Sequence, residues 1–152
     1  MTKKNGRPKQ TIPWFVRADD RAELVYRHDP AVAAFPDTEL DVAPIGLVRL
    51  KRGKTPAVFK TRPLKNREHM GLASISIRGL KDNDLQEQYL SATYEISTMC
   101  VEEVKHPDGS SWDNDAWRDQ CDQVLPGIMI GIGVYVLSES AWDPTKAKEA
   151  PT

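Results

Sequence analysis

Three histidines, two cysteines and a long series of carboxylates are the side chains of this 152-residue chain best suited to chemistry. A general acid or base needs a histidine or carboxylate tuned by its neighbours, and a nucleophile needs such a base within reach. His28, His69 and His106 are scattered along the chain, with prolines close to His28 and His106, and each reads as a loop or surface residue. No HExxH, phosphate-binding glycine loop or GxSxG elbow is present. Cys100 and Cys121 lack a CxxC partner and a Cys/His cluster at metal-binding spacing, so they read as buried free thiols in a reducing compartment. Glu102, Glu103, Asp108, Asp113, Asp115, Asp119 and Asp122 crowd the second half. Glu102, Asp113 and Asp115 could in principle hold a cation, but without EF-hand spacing a solvated acidic face is the expectation. The residues assign no catalytic group, metal ligand or cofactor, and an enzyme is the least favoured class.

Charge is unevenly placed. Between Val42 and Arg67 lie Arg49, Lys51, Arg52, Lys54, Lys60, Arg62, Lys65 and Arg67 without one acidic residue, whereas acids dominate from Asp82 to Asp122. The formal net charge is only −1, which argues against a protein that coats nucleic acid with its whole surface. The two regions either pair within the fold or lie as solvated faces, or they form separate recognition surfaces or mediate head-to-tail contacts between copies in a homo-oligomer. A basic hairpin touching phosphate is disfavoured because Phe59 is the one aromatic nearby, and single-strand platforms use several.

Trp112, Trp117 and Trp142 flank the most apolar segment and are candidate binding anchors, with core or rim packing as the plain alternative. Met70, Met99 and Met129 are candidate adaptable lining for an apolar groove. Gly127 and Gly131 form a GxxxG, which in this setting favours tight core packing over self-association.

The elements that must position these residues follow from periodicity and breakers. Residues 1–11 are expected to be a disordered basic tail with no secretory signal, and residues 141–152 a second disordered tail. Residues 12–44, broken by Pro30, Pro36 and Pro44, are expected to be an irregular arm, with a helical turn or two over Asp20 to His28. Residues 45–140 form the expected domain. Ile45 to Leu64 reads as a β-hairpin turning at Lys51-Arg52-Gly53-Lys54, with Pro56 and Pro63 placing the second strand at an edge. Lys65 to Ile77 is expected to begin a helix. A long amphipathic helix over Leu85 to Val104 follows from the spacing of Tyr89, Thr93, Ile96, Cys100 and Val104. His106-Pro107-Asp108-Gly109 stops it, and Ser111 or Asp113 caps a short helix. Pro126 opens a last helix to Ser138, apolar on nearly every side and therefore central. The apolar run from Val124 to Leu137 is about 14 residues, short of the roughly 20 that span a bilayer, so a cytosolic protein is expected. The fold class is α+β, a β-hairpin followed by a small three- to four-helix domain.

The order of elements, with Phe59-Lys60-Thr61-Arg62-Pro63-Leu64 before Asn66-Arg67-Glu68, Tyr94-Glu95-Ile96 and Cys100-Val101, His106-Pro107-Asp108-Gly109, Trp112 to Trp117 and a closing Leu137-Ser138-Glu139-Ser140, resembles the small tail-assembly chaperones of long-tailed phages. The resemblance covers Ile45 to Ser140 and implies a non-catalytic factor of the host cytoplasm. Such a factor binds the tape-measure protein, keeps its long helices soluble and recruits tail-tube subunits. The arm over residues 12–44 departs from the compact members, which keeps a structural subunit of the virion, contacting neighbouring subunits, as an alternative. A nucleic-acid-binding module using the basic hairpin is the other.

Overall fold

The computed structural model describes residues 19–65, 67–68 and 83–140. The chain is mixed α+β. Its strands are β1 (Ala22–Tyr26), β2 (Val32–Ala34), β3 (Val42–Pro44), β4 (Arg49–Leu50), β5 (Val58–Thr61), β6 (Val101–Lys105) and β7 (Ser111–Asp113). The helices are α1 (Asn83–Cys100), α2 (Asn114–Gln120) and α3 (Pro126–Ser140). A five-stranded antiparallel sheet runs β3-β1-β5-β6-β7, and β2 pairs with β4 in a separate two-stranded ribbon.

Several expectations change. The described part of the expected arm, residues 19–44, carries the short strands β1, β2 and β3 between turns and irregular chain, and Asp20 to His28 holds strand β1 rather than helical turns. Leu24 and Val25 are adjacent and fully buried, which demands a strand covered on both faces. The expected hairpin is not a pair: β4 bonds to β2, and β5 lies between β1 and β6. Pro56 and Pro63 do not force β5 to an edge because both fall outside its ladder. The tails, Met70, Trp142 and most of the helix expected over Lys65 to Ile77 lie outside the described residues.

The long helix ends at Cys100, and Val101 to Val104 belong to β6. Opposite the step from Lys60 to Thr61 the register on β6 moves from Glu103 to Val101, so β6 carries a bulge. Val101 and Val104, three apart, therefore both turn inward, and their spacing imitates a helix. The helix stops here without a glycine. Instead the Asn114 side-chain amide donates to the carbonyls of Thr98 (2.9 Å) and Val101 (2.7 Å), satisfying groups at the helix end. Asp113 caps α2 as the sequence implied, its Oδ1 accepting from the Ala116 N–H at 2.9 Å.

The main core lies between one sheet face and the helices. Leu24, Phe59 and Val104 form one inward row and Ala22, Thr61 and Val101 another. Against them pack Ile96, Trp117, Met129, Ile132 and Val136. α1 and α3 run antiparallel, with Thr93 against Gly133 and the Ser97 hydroxyl donating to the Met129 carbonyl. The Trp117 indole N–H donates to the Ser97 carbonyl at 2.9 Å, so the largest core side chain has its polar atom satisfied. Val25 and Ala43 point to the opposite sheet face and are also buried, outside that cluster.

Candidate functional site

Of the expected basic surface, four cations stay together. Arg49, Lys51, Arg52 and Lys54 are exposed on β4 and the loop that follows, and make no ion pair among the described residues. The loop is held firmly at its base. Asp29 accepts from the Ala31 N–H (2.8 Å) and the Ala57 N–H (3.0 Å), one on each carboxylate oxygen. The Lys51 N–H donates to the Ala31 carbonyl at 2.7 Å, Lys54 N–H closes the turn on the Lys51 carbonyl at 3.0 Å, and Pro56 is buried. Gly53 sits at φ +73°, a left-handed conformation that glycine adopts without Cβ strain.

Lys60 and Arg62 go elsewhere. Arg62 forms a two-pronged pair with Glu68, both N···O distances 3.0 Å, while the Lys65 N–H donates to the same carboxylate at 2.7 Å. This pairing holds the Glu68 carboxyl below the usual range and lifts the Arg62 guanidinium further. Lys60 belongs to the sheet face turned away from the helices. Register aligns Glu23, Lys60, Glu103 and Asp113 in one row across β1, β5, β6 and β7. Between β5 and β7 this face forms an open depression of about 280 Å³ bordered by Lys60, Glu102, Glu103, Ser111, Trp112 and Asp113. Three carboxylates there face one ammonium, and Glu102 is joined to Arg21 at 2.6 Å.

The expected apolar groove is not assembled by the described residues. Trp117 and Met129 are buried in the core, and Met99 is half-buried against it. Trp112 pairs across from Val104, turns to the core side and meets the His106 ring edge-on, centroids 4.3 Å apart. The GxxxG serves packing: Gly131 lies against Val42 and Gly127 against Asp41, while the closest helix approach falls at Gly133.

Cys100 and Cys121 are free and buried, and burial pushes their thiols up to about 12 and about 11. Such thiols are poor nucleophiles near neutrality. Among the described residues no group of three or more His, Cys, Asp or Glu is placed to hold a metal ion, and no helix is long and apolar enough to cross a membrane. Asp29 and Asn114 escaped the sequence reading. Asp29-Pro30 carries a turn signature that pointed to the first, whereas the carbonyls held by Asn114 are identifiable only in three dimensions. No family model, curated protein or solved structure matches this chain.

Proposed function

We infer that this chain is a non-catalytic protein-binding factor that acts in assembling the tail of a long-tailed phage, engaging the tape-measure protein and tail-tube subunits. The phage setting rests on the sequence resemblance over Ile45 to Ser140. The binding role is carried by one observation: a rigidly anchored basic loop and an open acidic sheet face stand on the same small fold without neutralising each other. An open, shallow, charged depression suits a macromolecular surface better than a small substrate, which favours enclosed and mostly apolar sites. The buried thiols and the scattered histidines supply no nucleophile-and-base pair among the described residues.

A structural subunit of the virion is the second reading, favoured by the same two charged surfaces, which could lace neighbours together. The support it draws from an extended arm is reduced because β1, β2 and β3, within residues 19–44, belong to the two sheets. Mass spectrometry of purified particles separates the two. Absence from particles together with co-purification of the tape-measure protein from lysate supports the assembly factor. Recovery near the copy number of known subunits replaces it with the structural reading, and failure to retain tape-measure protein above background removes the chaperone role.

A further inference from the structure

We propose that this chain associates with itself head to tail, the basic loop of one copy seating on the acidic sheet face of the next. The proposal does not rest on the phage reading, because it uses only surfaces that the fold itself presents.

The two surfaces are complementary in sign. Lys51, Arg52 and Lys54 project from the loop that enters β5, with Arg49 beside them on β4. Glu102, Glu103 and Asp113 border the depression between β5 and β7, where Arg21 pairs with Glu102 and the exposed Lys105 stands one row from Lys60, Glu103 and Asp113. Among the described residues no ion pair joins loop to face, and neither the loop cations nor Glu103 and Asp113 enter one, so these groups retain their charge for a partner. The loop is also pre-organised. With both ends fixed by Asp29, Ala31 and the buried Pro56, little conformational entropy remains to be lost on docking.

A second copy is the occupant that engages both surfaces at once. Nucleic acid would take the loop and be repelled by the carboxylates, and a basic peptide would take the face and leave the loop unpaired. The net charge of −1 means that copies approach without strong mutual repulsion. Because the two patches differ, the contact is heterologous and each bound copy offers a fresh loop and a fresh face. Growth then ends only by closing a ring or by running out of chains.

Sedimentation velocity of the full chain tests this. At about 50 mM salt the mass is expected to rise with concentration, and at about 500 mM, where the screening length shrinks to about 4 Å, to return to that of a monomer. Two variants divide the interface. Lys51→Ala with Arg52→Ala and Lys54→Ala removes the loop charges. Glu103→Gln with Asp113→Asn removes face charges while keeping a competent helix cap, since asparagine caps as well as aspartate. Each variant alone is expected to associate at least about tenfold more weakly. Mixed in equal amounts they should form a one-to-one complex and nothing larger, because each retains one functional half. A wild-type chain that stays monomeric at low salt overturns the proposal, whether or not its loop then retains DNA. So does a loop variant that assembles like wild type, or a discrete dimer that survives high salt.

Discussion

Three glycines in α3 differ sharply in what an added methyl group would meet. At Gly127 the nearest atom is the Asp41 carboxylate oxygen, 2.5 Å away at the end of a side chain that can rotate aside. At Gly131 it is a Val42 methyl at 3.3 Å, part of a packed core. At Gly133 it is the Thr93 backbone, whose carbonyl carbon lies 2.6 Å away, and backbone cannot move without shifting α1 against α3. Helix propensity favours alanine at all three by up to about 1 kcal/mol, so packing decides the sign. The expected order in urea denaturation is Gly127→Ala near neutral, Gly131→Ala losing about 1 kcal/mol, and Gly133→Ala losing about 3 kcal/mol or failing to fold. A Gly133→Ala chain as stable as wild type would mean that the helices do not cross so closely. Asp29 offers a second residue-scale test. One of its two charge-assisted bonds holds the Ala57 end of the basic loop and the other orders Ala31, whose carbonyl holds the Lys51 end, so Asp29→Ala should cost about 2 kcal/mol and raise amide exchange at Ala31 and Ala57 together. Loss of protection at one amide alone would show that the ends are held separately.

At the scale of elements, the junction from α1 into β6 is the least conventional feature. Helix passes to strand with no intervening turn, and the freed carbonyls of Thr98 and Val101 are taken up by Asn114 from another element. Asn114→Ala should therefore cost about 1–3 kcal/mol and open the junction to amide exchange before the rest of the sheet. Asn114→Asp should be worse than alanine, because it removes both donors and sets a negative charge at the negative end of the α1 dipole. If aspartate proves milder than alanine, the side chain is not acting as a donor there. The same junction explains why the helix boundary is hidden in the sequence. Thr93, Ile96 and Cys100 lie on a true helical stripe, and the bulge in β6 lets Val104 continue that stripe in sequence while leaving it in space. The last helix, the short capped helix and the buried thiols were legible because each rests on local chemistry. Strand pairing was not. β1 carries the adjacent buried pair Leu24 and Val25 in place of clean alternation, and β4 and β5 satisfy their backbones with distant partners rather than with each other. The basic loop was visible in composition, but its rigidity depends on Asp29, which lies 28 positions from its second partner, Ala57.

For the whole molecule, the ionisable groups set a bounded range of stability with pH. On the acid side, Arg62 holds the Glu68 carboxyl below its ordinary value of 4.5. The native state then binds fewer protons than the unfolded state, so the contribution of this pair is present above that value and is lost as pH falls through the lowered one. On the alkaline side the signs reverse. Burial raises Cys100 from an ordinary 9.0 to about 12 and Cys121 to about 11, burial also raises Tyr135, and donation to Asp122 pushes Tyr94 up to about 12. Above pH 9.0 the unfolded thiols release protons that the native ones keep, so stability is full below that value and declines toward the raised one. For Cys100 alone the loss by pH 10.5 is about 2 kcal/mol, from 1.36 kcal/mol per unit of separation. Urea midpoints should thus be level from about pH 5 to about pH 9 and fall on both sides. Cys100→Ala separates the thiol from other alkaline effects: it lowers stability at pH 7 through a small cavity, yet its decline between pH 9 and pH 10.5 should be shallower than that of wild type. A parallel decline in the two chains would show that the Cys100 thiol is open to solvent, and with it that the helix-to-strand junction covering it is looser than its hydrogen bonds require.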